Sequence, residues 1–125
     1  MSRQTFIDGI RANGGATWHW SRPVPASGFV VSHGIAFSEK VRASVLNDEN
    51  ATGELVQSFI ERNEWALERP ASFLGGWVED GYLYLDAVEV INDGELAYQL
   101  GVARNQKAIY DLSTGTEIPT GGTGE

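Results

Sequence analysis

The chain holds two histidines, and each stands beside residues that could share chemistry with it. His19 lies between Trp18 and Trp20 in "ATWHWSRPVP", and His33 follows Ser32 in "VVSHGIAF". Histidine can act as a general base or a pH-sensitive group because its ordinary pKa lies near neutrality. Strand alternation, however, sends Trp18 and Trp20 to one face and His19 to the other, which predicts a half-exposed histidine with two core tryptophans. The same alternation separates Ser32 from His33, so their adjacency makes no nucleophile–base pair. There is no His-x-x-x-His or other short-spaced ligand pair, so the sequence implies neither a metal nor a cofactor.

Other catalytic patterns fail in the same way. With no cysteine, thiolate catalysis, disulfides and cysteine–zinc sites are excluded. The doublets Gly14-Gly15, Gly75-Gly76 and Gly121-Gly122 lack the Gly-x-Gly-x-x-Gly or Gly-Lys-Ser/Thr form, and acidic neighbours would repel phosphate. They read as turns and bends. Glu89 and Glu95 in "AVEVINDGE" are too widely spaced for a Glu-x-Glu pair of the ADP-ribosyl-transfer type.

The strongest chemical pattern is a charged face. From about Ala51 to Glu68 the chain reads as one amphipathic helix, with Val56, Phe59, Ile60, Ala66 and Leu67 on the apolar side. On an ideal helix Glu54, Glu61, Glu64 and Glu68 fall within about 80° of one another, and Trp65 lies beside them. Two roles compete for Trp65. It either packs under the segment after Pro70 or anchors a basic protein partner beside the carboxylates. Trp18, His19, Trp20, Tyr82 and Tyr84 are secondary candidates for such contacts.

The elements that must position these residues follow from pattern and punctuation. "TFIDGIRANGG" predicts an N-terminal helix with Phe6, Ile7 and Ile10 inward, stopped at Asn13-Gly14-Gly15. "ATWHW" predicts a strand broken by Pro23, followed by strands near Phe29–Ser32 and Ile35–Phe37 with Gly34 bending the chain between them. "SFLGGWVEDGYLYLDAVEVI" reads as a hairpin turning at Asp80-Gly81, with a bulge expected near Val88–Val90. Asp93 is expected to cap a short helix to Arg104 that turns Leu96, Leu100 and Ala103 inward. "KAIYDLSTGTEI" then gives a strand, a turn and a short return. Helices segregated among antiparallel strands predict an α+β domain over 1–118, with 119–125 as a flexible tail.

Charge separates the two ends of the chain. Residues 1–45 carry five bases against two acids, whereas the remainder carries four bases against fifteen acids, within a total of −8. Such a surface disfavours direct nucleic-acid binding and favours basic partners, or it serves only to keep the protein dispersed. No apolar run approaches the roughly 18 residues that span a bilayer, and "MSRQTFIDGI" lacks a signal-peptide core, so a cytoplasmic location is expected.

The C-terminal half, through "GGW", "YLYLD", the acid-capped helix and "AIYDL" with its Thr-Gly turn, resembles a segment of small uncharacterised proteins of actinobacteria and their phages. The resemblance implies a phage or mobile-element setting and carries no catalytic residue. Together these observations predict a non-enzymatic protein that binds and inhibits a basic host protein of nucleic-acid handling or defence, an anti-CRISPR-like activity, through its acidic surface. The alternatives are a small enzyme or ligand binder using His19 or His33, and a virion component that forms a homo-oligomer along the Tyr82–Ile91 strand.

Overall fold

In the computed structural model, which describes residues 2–124, the chain begins with helix α1 (Arg3–Asn13). Ser2 caps it by accepting the Thr5 N–H, and Gly14 ends it at φ 79°, a conformation that favours glycine. Strand β1 (Gly15–Trp18) and a long loop lead to β2 (Phe29–Ser32), a 3-10 turn (Ile35–Phe37) and β3 (Ser38–Arg42). A second 3-10 turn (Ala43–Asn47) precedes α2 (Glu49–Arg62), α3 (Glu64–Leu67), β4 (Ser72–Glu79) and β5 (Tyr82–Ile91). Helix α4 (Gly94–Ala103), β6 (Ala108–Asp111) and β7 (Thr116–Pro119) complete the α+β fold.

All seven strands form one antiparallel sheet in the order β1-β4-β5-β2-β6-β7, with β3 beside the first half of β5. The sheet is curled enough for Lys107, before β6, to reach Glu79 at the end of β4 (3.8 Å) across two intervening strands. Asp80 and Gly81 both take positive φ, the backbone that a two-residue hairpin needs, and join β4 to β5 as the sequence predicts.

Register sorts the sheet into two faces. Leu74, Leu83, Leu85 and Ala87 share one face with Trp18 and pack against Phe6, Ile7 and Ile10 of α1 and Val56 and Phe59 of α2. Gly76 stands at the closest approach, where a Cβ would lie 2.7 Å from Ile10. Further along this face, Val31 and Ile109 meet Ala97 of α4 in a smaller second core. Tyr82, Tyr84, Asp86 and Val88 occupy the opposite face, whose residues belong to neither helix-packed core.

The structure corrects several expectations. Ile35–Phe37 is a 3-10 turn, and the unforeseen strand β3 follows it. No bulge interrupts β5, whose pairing with β4 is continuous. The irregularity lies on the other chain, where residues 33–37 all stand opposite Ala87, between the Ser32–Val88 and Ser38–Asp86 pairs. The 51–68 helix is divided at Asn63 (φ −117°, ψ 20°), whose backbone N–H and side-chain amide both donate to the Phe59 carbonyl. Residues 119–124 are docked: the Thr120 hydroxyl and the Gly122 N–H donate to Gln106 O, and the Gly124 N–H donates to Asn105 O. Helix α4 turns Ala97 and Gly101 inward and leaves Leu96 and Ala103 exposed, because only small side chains fit its close approach to the sheet.

Candidate functional site

The break at Asn63 decides where the acidic side chains go. Glu61, at the end of α2, and Glu64 and Glu68, in and after α3, all remain exposed and line one open groove of about 600 Å³. Its other walls are Arg3 and Gln4 of α1, Gln57 and Ile60 of α2, and the indoles of Trp18 and Trp20. The histidine–tryptophan segment and the acidic helix face, separate in the sequence, are therefore parts of one surface. Glu54 is exposed on the same helix but does not line the groove.

Within this groove the carboxylates lie close together, and Arg3, which lines it too, donates to Gln57 Oε1 (2.9 Å). Glu68 raises the carboxyl pKa of Glu64 by a shared hydrogen bond and like charge, with Glu61 adding to the effect. Among the described residues, Glu61, Glu64 and Glu68 form no ion pair. The nearest favourable contact is the Gln57 amide, which donates to Glu61 Oε1 (3.2 Å).

The two tryptophans differ. Trp18 is buried, stacks on Phe6 with ring centroids 6.0 Å apart, and belongs to the core. Among the described residues its buried Nε1–H has no hydrogen-bond partner, a state that costs about 1–3 kcal/mol. Strand β1 ends at Trp18, so alternation fails beyond it: Trp20 is 42% exposed and His19 is buried, the reverse of the expectation. Trp20 lies flat against the His19 imidazole, with centroids 3.9 Å apart.

His19 is fully engaged in holding this corner. Its Nδ1 accepts from the Ser21 N–H (3.1 Å), so its Nε2–H donates to the Leu67 carbonyl (3.0 Å). Burial pushes its pKa down, opposed by the Leu67 bond. The imidazole is thus a neutral strut between the Trp20 loop and the end of α3.

Trp65 stands on the far side of the break. It is 67% exposed rather than packed beneath the segment after Pro70. One side stacks on Phe37 (6.2 Å), and the Arg69 guanidinium lies 4.9 Å from the ring centre. Ile35, 57% exposed, belongs to the same 3-10 turn as Phe37.

His33, by contrast, heads a polar seam that adjacency in sequence does not show. Its Nδ1 lies 3.0 Å from Glu89 Oε2, and its Nε2 lies 2.9 Å from Ser72 Oγ. Arg104 donates to Ser32 O (2.9 Å) and approaches Glu89 (3.4 Å). Serine, histidine and carboxylate thus connect in the order of a hydrolytic triad. Yet Ser72 is fully buried, and neither this serine nor His33 lines the groove. A substrate carbonyl has no route to the hydroxyl in this conformation. Burial, the largest influence, lowers the pKa of His33, while Glu89 raises it.

On the opposite face, buried Asp86 accepts hydrogen bonds from Ser32 Oγ (2.8 Å) and Ser38 Oγ (2.5 Å), and burial raises its pKa to about 7. Tyr84 stacks on Trp77 (5.5 Å), and Lys40 Nζ sits 4.3 Å from the Tyr82 ring centre. These two tyrosines are half-buried and lie apart from the groove. Nor is β5 an exposed edge: β4 pairs along one side and β2 and β3 along the other, so oligomerisation along that strand is ruled out for the folded chain.

Among the described residues, no three histidine, aspartate or glutamate side chains are grouped to share a metal ion, and no helix is long and apolar enough to cross a membrane. In comparisons with protein-family models, curated proteins and solved structures, the chain finds no match.

Proposed function

We propose that this is a non-enzymatic binding protein that captures a basic segment of a protein partner in the Glu61–Glu64–Glu68 groove. The observation that carries the reading is the meeting of three unpaired carboxylates with the exposed indole of Trp20 along one groove. Carboxylates attract lysine and arginine, and an indole face adds cation–π and apolar contact, the combination found at binding hot spots. Trp65, exposed on the neighbouring flank, supplies a second anchor for the same partner. A partner whose own ligand is an anion, such as a nucleic-acid-handling or defence protein, would be inhibited by competition, in keeping with the acidity of the chain after residue 45.

Calorimetric titration with an arginine-rich peptide tests this. Reversal of Glu61, Glu64 and Glu68 to lysine should weaken binding at least tenfold more than reversal of Glu54, Glu95 and Glu117. Equal losses would reduce the interaction to net charge and defeat the proposal.

The Ser72–His33–Glu89 connection favours a second reading, a hydrolase whose serine becomes accessible on opening. Covalent labelling of Ser72 by a fluorophosphonate, abolished in His33→Ala, would support it. Ser72 left unmodified would remove it.

A further inference from the structure

Among the described residues, β1, β3 and β7 each pair with a single neighbour, and these three free margins are not alike. β3 carries Glu39, Lys40 and Arg42, and β7 carries Glu117 and ends at Pro119. Charges and proline of this kind keep an edge from recruiting another strand. β1, Gly-Ala-Thr-Trp, has neither. Its ladder to β4 fixes which of its backbone groups remain. The Val78 N–H donates to Gly14 O, so Gly14, Ala16 and Trp18 bond toward β4, and the N–H and C=O of Gly15 and Thr17 turn outward. Nothing among the described residues bonds to these outward groups, and both residues are only half-buried. The edge also leads into the acidic groove. Trp18, the last residue of β1, lines that groove at 5% exposure, and its Nε1–H has no acceptor among the described residues.

Resting on the groove reading above, we infer that the ligand is an extended segment that adds to β1 as a further strand, with basic side chains at alternate positions. Cross-strand neighbours share a face, so ligand residues opposite Ala16 and Trp18 lie on the helix side, toward Glu61, Glu64 and Glu68. Those opposite Gly15 and Thr17 point to the other face and carry no charge requirement. Main-chain bonds to Gly15 and Thr17 supply affinity, and the alternate basic side chains supply specificity. The arriving carbonyls are also acceptors, which a polyamine of the same charge would lack. A second copy of this chain fits less well, because its own β1 would bring no basic side chain to the carboxylates.

A blocked peptide of alternating arginine and threonine tests this with the protein unaltered. On binding, the Gly15 and Thr17 amides should become protected from hydrogen exchange. N-methylation of the alternate set of peptide amides that faces β1 should weaken binding by at least about tenfold, and methylation of the other set, which faces solvent, should not. Equal effects of the two sets, or Gly15 and Thr17 amides that stay unprotected in the saturated complex, would overturn the inference and leave the groove reading standing. No binding of the unmethylated peptide would end both. A dimer that protects the two amides without peptide would give the edge to a second copy and likewise overturn the inference.

Discussion

Ser38 donates its hydroxyl to Oδ1 of Asp86 across the β3–β5 pair at 2.5 Å, on the sheet face opposite the helix-packed core. Asp86 is nonetheless almost wholly buried, and its folded-state pKa of about 7 stands above the ordinary 3.8 because burial penalises its charge more than the two serines stabilise it. The folded protein therefore holds a proton here that the unfolded chain releases between pH 4 and 7. This contribution to stability is complete below the unfolded pKa and is lost as pH rises through about 7. Asp86→Asn should remove that loss and stabilise the protein at pH 8, by up to about 4 kcal/mol at about 1.4 kcal/mol per pH unit. Urea unfolding at pH 5 and pH 8 measures the difference, and an Asn variant less stable at pH 8 would contradict the reading.

His33 gives the opposite slope. Its folded pKa lies below 6.5, so the unfolded chain binds its proton more readily, and stability falls as pH drops below 6.5. His33→Ala should also leave the buried Ser72 hydroxyl without its partner, at a cost of about 1–3 kcal/mol at neutral pH. A proton NMR titration of the imidazole with a midpoint above 6.5 would refute the sign.

Gly101→Ala tests the packing of α4. Alanine favours a helix by about 1 kcal/mol over glycine, but here its methyl would meet Ile109 at 2.9 Å and Thr120 at 3.1 Å. The collision should outweigh the propensity and lower stability by about 1–3 kcal/mol, read from the shift in the denaturation midpoint. A stabilised variant would show that α4 can move away from the sheet at little cost.

The corner at His19 offers a further separation of roles. Trp65→Ala removes an exposed ring and should change stability by less than about 0.5 kcal/mol. His19→Ala breaks the bond to Leu67 and leaves Trp20 unsupported, so it should lower both stability and groove affinity. Chemical denaturation with peptide titration distinguishes them: Trp65→Ala weakens binding alone. A large loss of stability in Trp65→Ala would assign that ring to the core.

Much of the architecture was readable from local signals. The Asp80-Gly81 turn, the Asp93 cap and the Gly14 stop each depend on a few adjacent residues and need no distant partner. What escaped the sequence depends on contacts between distant segments. The helix break at Asn63 is marked only by that residue's own backbone angles and its side-chain bond to the Phe59 carbonyl, which a periodic pattern of apolar residues obscures. On α4 the apolar pattern places Leu96 and Leu100 inward; Leu100 is so placed, but Leu96 is exposed, because close approach to Phe29 and Ile109 selects glycine and alanine. The 67% exposure of Trp65 argues against its packing beneath the segment after Pro70. The His33 seam joins residues 39 and 56 positions apart, beyond the reach of any short-spaced motif.

The groove is the central claim, and its most direct measurement is residue-resolved. In a ¹⁵N–¹H spectrum titrated with an arginine-rich peptide, the amides of Gln57, Glu61, Glu64 and Glu68 and the indole N–H of Trp20 should shift together and saturate at one stoichiometry. Shifts spread evenly over the acidic positions, with Glu95 and Glu117 moving as far as Glu64, would contradict a built site and leave only diffuse charge.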